Sequence, residues 1–354
     1  MSRSIIAVDV MGGDYAPEEV VKGAIEAAKA FDVKIILVGR QDCIEEILKK
    51  HPIDDLPIEI HHAPEVVTMN DAPFEAIRRK KNSSIKVALE LAKSGKAHAV
   101  YSAGNSSVTL ATAMFVLGRL PQVERPALAG IIPTLNGRFV LIDVGGIVDC
   151  RPSHLVQFAI MGHVFAKYIL NIENPRLGIL NIGQETVKGN DLVKKTFSFL
   201  EKRPLNFIGN VEGGDVLHGK ADVVICDGFV GNVALKIGEG MAEAFLTLIR
   251  QEIQKSLLAR IGVILVKRSL RNVFKRWDYS EHGGAPLLGV NGIVIIGHGR
   301  SKAKAIKNGI RMANQFVTQK INLHLEKGLK EYEAPMLVGR RWYRWAEKIK
   351  EIVS

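Results

Sequence analysis

The stretch Lys220–Lys236, KADVVICDGFVGNVALK, decides the fold. Its apolar, β-branched run Ala221–Cys226 reads as a buried strand of a parallel sheet. Asp227-Gly228-Phe229-Val230-Gly231-Asn232 then stops the strand with two glycines and two short polar side chains. Helical spacing follows, with Val233, Ile237, Met241, Phe245 and Leu248 on one face. A strand that turns through glycines onto a helix presents free backbone N–H groups and the positive end of a dipole, which suits an anion. In open α/β sheets, ligands bind in that crevice at the carboxyl ends of the strands.

The same pattern recurs outward from this stretch. Ser4–Val10 leads into Met11-Gly12-Gly13-Asp14 and a helix over Pro17–Phe31. His98–Ser102 ends at Ala103-Gly104-Asn105-Ser106-Ser107, before a helix over Val108–Leu117. Ala127–Ile132 and Phe139–Val144 flank Asn136-Gly137, a hairpin signal. Leu177–Asn181 precedes the polar loop Gly183–Asn190, and His282–Gly292 reads as a Gly/Pro-rich loop. Ile293–Ile296 leads through Gly297-His298-Gly299-Arg300-Ser301 into a last long helix. This alternation predicts an α/β fold with a largely parallel sheet. Each such turn alone is ordinary, since helices need polar N-caps. Taken together they carry an expectation, because parallel strands bring their carboxyl ends to one edge. A polar, phosphate-sized site is expected there, gathering Asn105, Ser106, Lys188, Asn210, Asp227, Asn232 and His298.

Composition narrows the function classes. The chain has 354 residues, 47% hydrophobic and 24% charged, which suits a globular protein able to build its core without disulfides or a structural metal. Cys43, Cys150 and Cys226 are scattered, as reduced thiols of a cytosolic protein would be. MSRSIIAVDVMGGD has too short an apolar run for a signal peptide, and no run of about 20 apolar residues predicts a membrane span. The net charge of +11 points to anionic partners. No G-x-G-x-x-G follows a strand and no G-x-x-x-x-G-K-[ST] occurs, against dinucleotide and P-loop binding. No Cys/His cluster or pair of aspartates four apart predicts a metal site. That disfavours a nicotinamide-dependent decarboxylating dehydrogenase, which tight nicotinamide binding would revive. G-x-S-x-G is missing, and His154, His163 and His218 read as surface or satisfied core residues. Aromatics of only 6% disfavour a nucleic-acid partner. Salt-dependent DNA retention without catalytic turnover would instead mark a basic, non-catalytic binding protein.

One segment stands apart. Ile253–Trp277, IQKSLLARIGVILVKRSLRNVFKRW, predicts a helical hairpin broken at Gly262, within a protrusion over 240–280. Leu257, Leu258, Ile261, Val263, Ile264 and Leu265 form an apolar run too short to span a membrane but able to bury a tip. Lys255, Arg260, Lys267, Arg268, Arg271, Lys275 and Arg276 flank it, with no acid between Glu252 and Asp278. An anionic membrane surface fits that pattern, with a dimer interface as the competing reading. Residues 1–330 read as a single catalytic domain, and 331–354 as a basic aromatic extension containing Arg340-Arg341-Trp342-Tyr343-Arg344-Trp345. That extension is either a tail packed on its own domain or an interfacial anchor.

IAVDVMGGDYAP, the SAGNS turn, LVQFAIMG, LNIG with KGN after it, FIGNVEG, ADVVICDGFVGNVALK and GGAPLLGVNG together resemble the bacterial fatty acyl-ACP:phosphate acyltransferase family. The resemblance runs in order from Ser4 to the last long helix. It implies a three-layer αβα fold like that of the isopropylmalate dehydrogenase and phosphotransacetylase relatives, and a homodimer. It also implies that inorganic phosphate attacks the thioester carbonyl of acyl carrier protein, giving acyl phosphate for phospholipid synthesis. A membrane-bound glycerol-3-phosphate acyltransferase would take the product, which places the chain in the cytoplasm, peripherally on the inner face of the cell membrane. Phosphate dianion is itself the nucleophile, so the protein needs only to hold reactants in attack geometry and supply oxyanion donors, with no cofactor. On this reading Lys188, Asn232, Asp227 and His298 are catalytic. Gly12, Gly13, Asp14, Gly104, Asn105, Ser106, Asn210, Gly228 and Gly231 bind substrate. Lys188 adds positive charge, and Asp227 is a helix cap or orients Lys188 or His298. Cys226 reads as an inert core thiol. Four positions depart from the family pattern: Gly146-Ile147 replaces the usual Ala-Asn, Gly214 a common basic residue and Arg300 a small one.

Overall fold

Ile6 and Val8 pack into one hydrophobic cluster and Ala7 into another, all three fully buried. A strand apolar on both sides belongs in the middle of a covered sheet. The computed structural model describes residues 3–51, 53 and 55–332 and shows such a sheet, eleven strands wide. In chain order the strands are β1 Ser4–Asp9, β2 Val33–Gly39, β3 Ile58–His62, β4 Ala99–Ser102, β5 Ala127–Pro133, β6 Arg138–Ile142, β7 Leu177–Leu180, β8 Phe207–Val211, β9 Val223–Ile225, β10 Ala285–Leu288 and β11 Val294–Ile296. Across the sheet they run β3-β2-β1-β4-β11-β10-β5-β6-β9-β7-β8. Helices Glu18–Ala30, Pro152–Leu170 and Ala303–Thr318 cover one face. Helices Ser84–Lys93 and Ser106–Val116 cover the other, so the expected three-layer α/β architecture is present.

Seven of the ten strand pairings are parallel, and the three antiparallel ones, β11–β10, β10–β5 and β5–β6, lie together in the middle. The Asn136-Gly137 hairpin is the last of these, with Ala129 opposite Ile142 and Pro133 opposite Arg138. Its consequence corrects the expectation of one shared edge. β1, β4 and β11 end at one edge of the sheet, whereas β6, β9, β7 and β8 end at the opposite one. Two strands escaped the sequence pattern, β8 and β10. β10 is four residues long, holds Pro286 and is bounded by glycines, the marks of a loop.

The helical hairpin is present, but its break is elsewhere. Helix Gly228–Lys255 ends at Ser256, whose extended backbone and side-chain cap on the Ala259 N–H start helix Leu257–Trp277. Gly262 lies inside that second helix. A helix interior tolerates glycine at about 1 kcal/mol, while serine at an N-cap stabilises the new helix by a similar amount. The extension holding Arg340–Trp345 lies outside the described residues. Among the described residues, no helix is long and apolar enough to cross a membrane.

Candidate functional site

Three strand ends of the first half are drawn together by close backbone packing. A Cβ on Gly12 would sit 2.8 Å from the Gly104 N, so the β1 and β4 loops meet where neither carries a side chain. Gly13, at φ +114°, turns the chain so that the Asp14 N–H donates to the Gly299 carbonyl at 2.8 Å. Gly12, Gly13 and Gly104 thus stand where backbones approach too closely, or turn too sharply, for a side chain. Beneath them, Asp9 is buried and accepts from Ser102 Oγ at 2.7 Å, and burial raises its carboxyl above the ordinary value. Asn105 caps helix Ser106–Val116 through the Val108 N–H at 3.2 Å. Its amide donates to the Met69 carbonyl at 2.9 Å and that of Asp71 at 3.2 Å, so both ends of the side chain are engaged. His298 Nδ1 accepts from the Arg300 N–H at 3.0 Å, which leaves the neutral ring's proton on Nε2.

The second half is organised by a residue the sequence reading passed over. Asp143, fully buried, accepts backbone N–H bonds from Leu128, Gly145 and Gly146 on Oδ1 and from Ile147 on Oδ2. Burial outweighs these donors and lifts its carboxyl to about 6. Helix Gly228–Lys255 docks on this loop through glycines. A Cβ on Gly228 would lie 2.8 Å from Asp143 Oδ2, and one on Gly231 would run into the Asp143 carbonyl oxygen. Asp227 caps the helix, accepting from the Val230 N–H at 2.9 Å. Cys226 Sγ contacts the Asp143 carbonyl at 3.6 Å, and burial drives its thiol well above the ordinary value. Asp143-Val144-Gly145-Gly146, a buried-strand end running into two glycines, was the available signal.

A cleft of about 1010 Å³ lies over the sheet between helices Ser106–Val116 and Gly228–Lys255. Asp14, Asn105, Ser106, Asn232 and His298 line it, so five expected site residues meet although their strands end at opposite edges. The contacts explain how. Asn232 lies against Gly145, and the neighbouring Gly146 approaches Leu110, one helical turn beyond Ser106 and Ser107. Lys188, Asn210 and Asp227 do not line the cleft. Lys188 is exposed on the loop after β7, at the far edge, and the Asn210 amide donates to the Glu185 carbonyl at 2.9 Å. Ser301 was not singled out by sequence, yet it lines the cleft, is 4% exposed, and its Oγ has no hydrogen-bond partner among the described residues. Among those residues, no group of three His, Cys, Asp or Glu could hold a metal ion.

His282 also lines the cleft, and burial, reinforced by Arg138 and Arg311, pushes its pKa down to about 4. An unfolded chain binds this proton near pH 6.5, so stability falls as pH drops from about 6.5 to about 4. His282→Gln is expected to flatten that limb by up to about 1.4 kcal/mol per pH unit, read from urea denaturation at pH 4.5, 5.5 and 7. An unchanged slope would show that His282 is protonated in the folded chain.

The model of a family described as fatty acid synthesis protein matches residues 5–324. A phosphate acyltransferase of Geobacter sulfurreducens is 51% identical over 332 residues, 94% of this chain and 96% of that protein. Another, from Heliobacterium modesticaldum, is 51% identical over 315 residues, 89% of this chain and 94% of that protein. Among solved structures, a phosphotransacetylase from Streptococcus pyogenes superposes with a TM-score of 0.61 at 16% identity, over 89% of this chain and 94% of that one. A branched-chain phosphotransacylase from Enterococcus faecalis gives 0.54 at 15% identity, over 88% and 99%. At such identities these structures show the fold alone.

Proposed function

The chain belongs to the fatty acid synthesis protein family of phosphate acyltransferases, and from that premise we propose that it moves an acyl group from the thioester of acyl carrier protein to inorganic phosphate. One observation carries this reading: the cleft joins hydrogen-bond donors to a long apolar floor in a single space. A phosphate oxygen attacks the thioester carbonyl carbon and charge gathers on the carbonyl oxygen. The C–S bond then breaks, leaving acyl phosphate and a thiolate that takes up a proton. The first-turn N–H groups and hydroxyls of Ser106 and Ser107 hold phosphate at a helix N-terminus, with the His298 Nε2–H beside them. The Asn232 amide and the Ser301 hydroxyl donate where the oxyanion develops. Lys188 and Asp227 take no part, the first standing outside the cleft and the second serving as a cap. Radiolabelled phosphate incubated with acyl-ACP is expected to enter an acid-labile, solvent-extractable product. Label confined to the aqueous phase would contradict the reading.

The reading extends to a homodimer and a membrane surface. Phe229, Val233, Ile237, Met241, Phe245 and Leu248 form a stripe along helix Gly228–Lys255 and are exposed in the single chain, Met241 by 69%. A second copy would cover it. Beyond Ser256, Leu258, Ile261, Ile264 and Leu265 are exposed near Lys255, Arg260, Lys267 and Arg268. Each cation is worth about 1 kcal/mol against anionic headgroups, and the apolar side chains would enter the interface. This supports peripheral attachment at the cytoplasmic face, where a membrane-bound glycerol-3-phosphate acyltransferase would receive the product. Leu258→Glu with Ile264→Glu is expected to abolish sedimentation with anionic liposomes while the dimer persists in ultracentrifugation. Monomers that still bind lipid would reassign the stripe beyond Ser256 to the dimer.

A further inference from the structure

We propose that the cleft is a transverse acyl-chain channel and that Gly213, at its far rim, sets the chain length; this rests on the acyl-transfer reading above. The floor is built strand by strand across the sheet: Ile296 of β11, Ala285 of β10, Gly130 of β5, Leu141 of β6, Val224 of β9 and Leu180 of β7. These strands are consecutive neighbours, so the floor crosses five inter-strand steps. At about 4.8 Å per step that is about 24 Å. Carbon–carbon bonds of roughly 1.5 Å advance an extended chain about 1.25 Å per carbon, so the length of the floor matches roughly nineteen carbons, counted from the head-group end.

The two ends differ in chemistry, which orients the chain. Asn105, His298 and Ser301 lie at the β4–β11 end, where the thioester carbonyl would sit. At the opposite end, Leu180, Val216 and Val224 offer only hydrocarbon, where the methyl end would lie. Gly213 opens the short helix Gly213–Leu217 beside them and lines the cleft, with no atom within 4 Å of a Cβ built there. Its neighbour Gly214 has the same free space but does not line the cleft. A phenylalanine therefore fits at either position without a clash, and at one of them it occupies the path of the chain.

The experiment compares the protein with Gly213→Phe and Gly214→Phe in two readouts. In turnover, kcat/KM is measured for acyl-ACP donors of eight to eighteen carbons. Each methylene kept out of the channel weakens the interaction about fourfold, from about 0.8 kcal/mol per CH₂ and 1.4 kcal/mol per decade. The sixteen- to ten-carbon ratio is thus expected to fall at least about tenfold in Gly213→Phe and to stay put in Gly214→Phe. Independently of turnover, calorimetry with decyl and hexadecyl phosphate is expected to show the same selective loss of the longer ligand. Equal chain-length profiles in all three proteins, in both readouts, overturn the channel. Selective loss of hexadecyl phosphate binding without any acyl transfer by the parent protein supports the channel and overturns the reaction reading instead.

Discussion

Asn232→Ala is expected to lower kcat for phosphate-dependent thioester cleavage by about 10²–10³, the usual cost of deleting one oxyanion donor. Asn232 is half-buried on the first turns of helix Gly228–Lys255, lies against Gly145, and faces the cleft from the side opposite Ser106. Its side chain has no hydrogen-bond partner among the described residues, so its removal leaves no buried group stranded. The thermal midpoint should accordingly stay where it is while kcat collapses. Lys188→Ala, at the far sheet edge, is expected to leave both kcat and the phosphate dependence unchanged. If Asn232→Ala keeps its rate and Lys188→Ala loses it, the reacting atoms lie outside the cleft.

Gly231→Ala is expected to destabilise the fold by at least about 3 kcal/mol, through steric conflict in a site that cannot relax. The added methyl would collide with the Asp143 carbonyl oxygen and approach Cys226 Sγ to 2.9 Å. The loop cannot retreat, because four backbone N–H groups already converge on the Asp143 carboxylate. Gly240→Ala in the same helix supplies the contrast. Nothing lies within 4 Å of a Cβ built there, and exchanging glycine for alanine in a helix interior stabilises by about 0.5–1 kcal/mol. Urea midpoints of the two variants should therefore move in opposite directions. Equal midpoints would mean that the helix does not rest on the Asp143 loop.

The local elements were largely legible, because their signals are local. Ala221–Cys226 followed by Asp227 and two glycines reads as strand, cap and helix, and Asp227 does cap. Asn136-Gly137 reads as a hairpin and forms one. The direction of whole strands is a tertiary property, and there the sequence reading failed. β10 hides behind glycines and Pro286, and the run of antiparallel pairings around it reverses the second half of the sheet. That reversal carries Lys188 and Asn210 away from Ser106 and His298, and no residue near Lys188 could announce it. Asn232 escaped the same fate only because its helix folds back over the face of the sheet. Gly262 misled in a different way, since a glycine with open space around it costs a helix little, and a serine six residues earlier starts the helix instead.

The proposed reaction makes phosphate the attacking group in this cleft. The direct measurement is the rate of free-thiol release from acyl-ACP as inorganic phosphate is raised from zero, with acyl-CoA run beside it. No release is expected without phosphate, saturable release with it, and one acyl phosphate formed per thiol. Thiol released at the same rate without phosphate, accompanied by free fatty acid, would make water the nucleophile and contradict it.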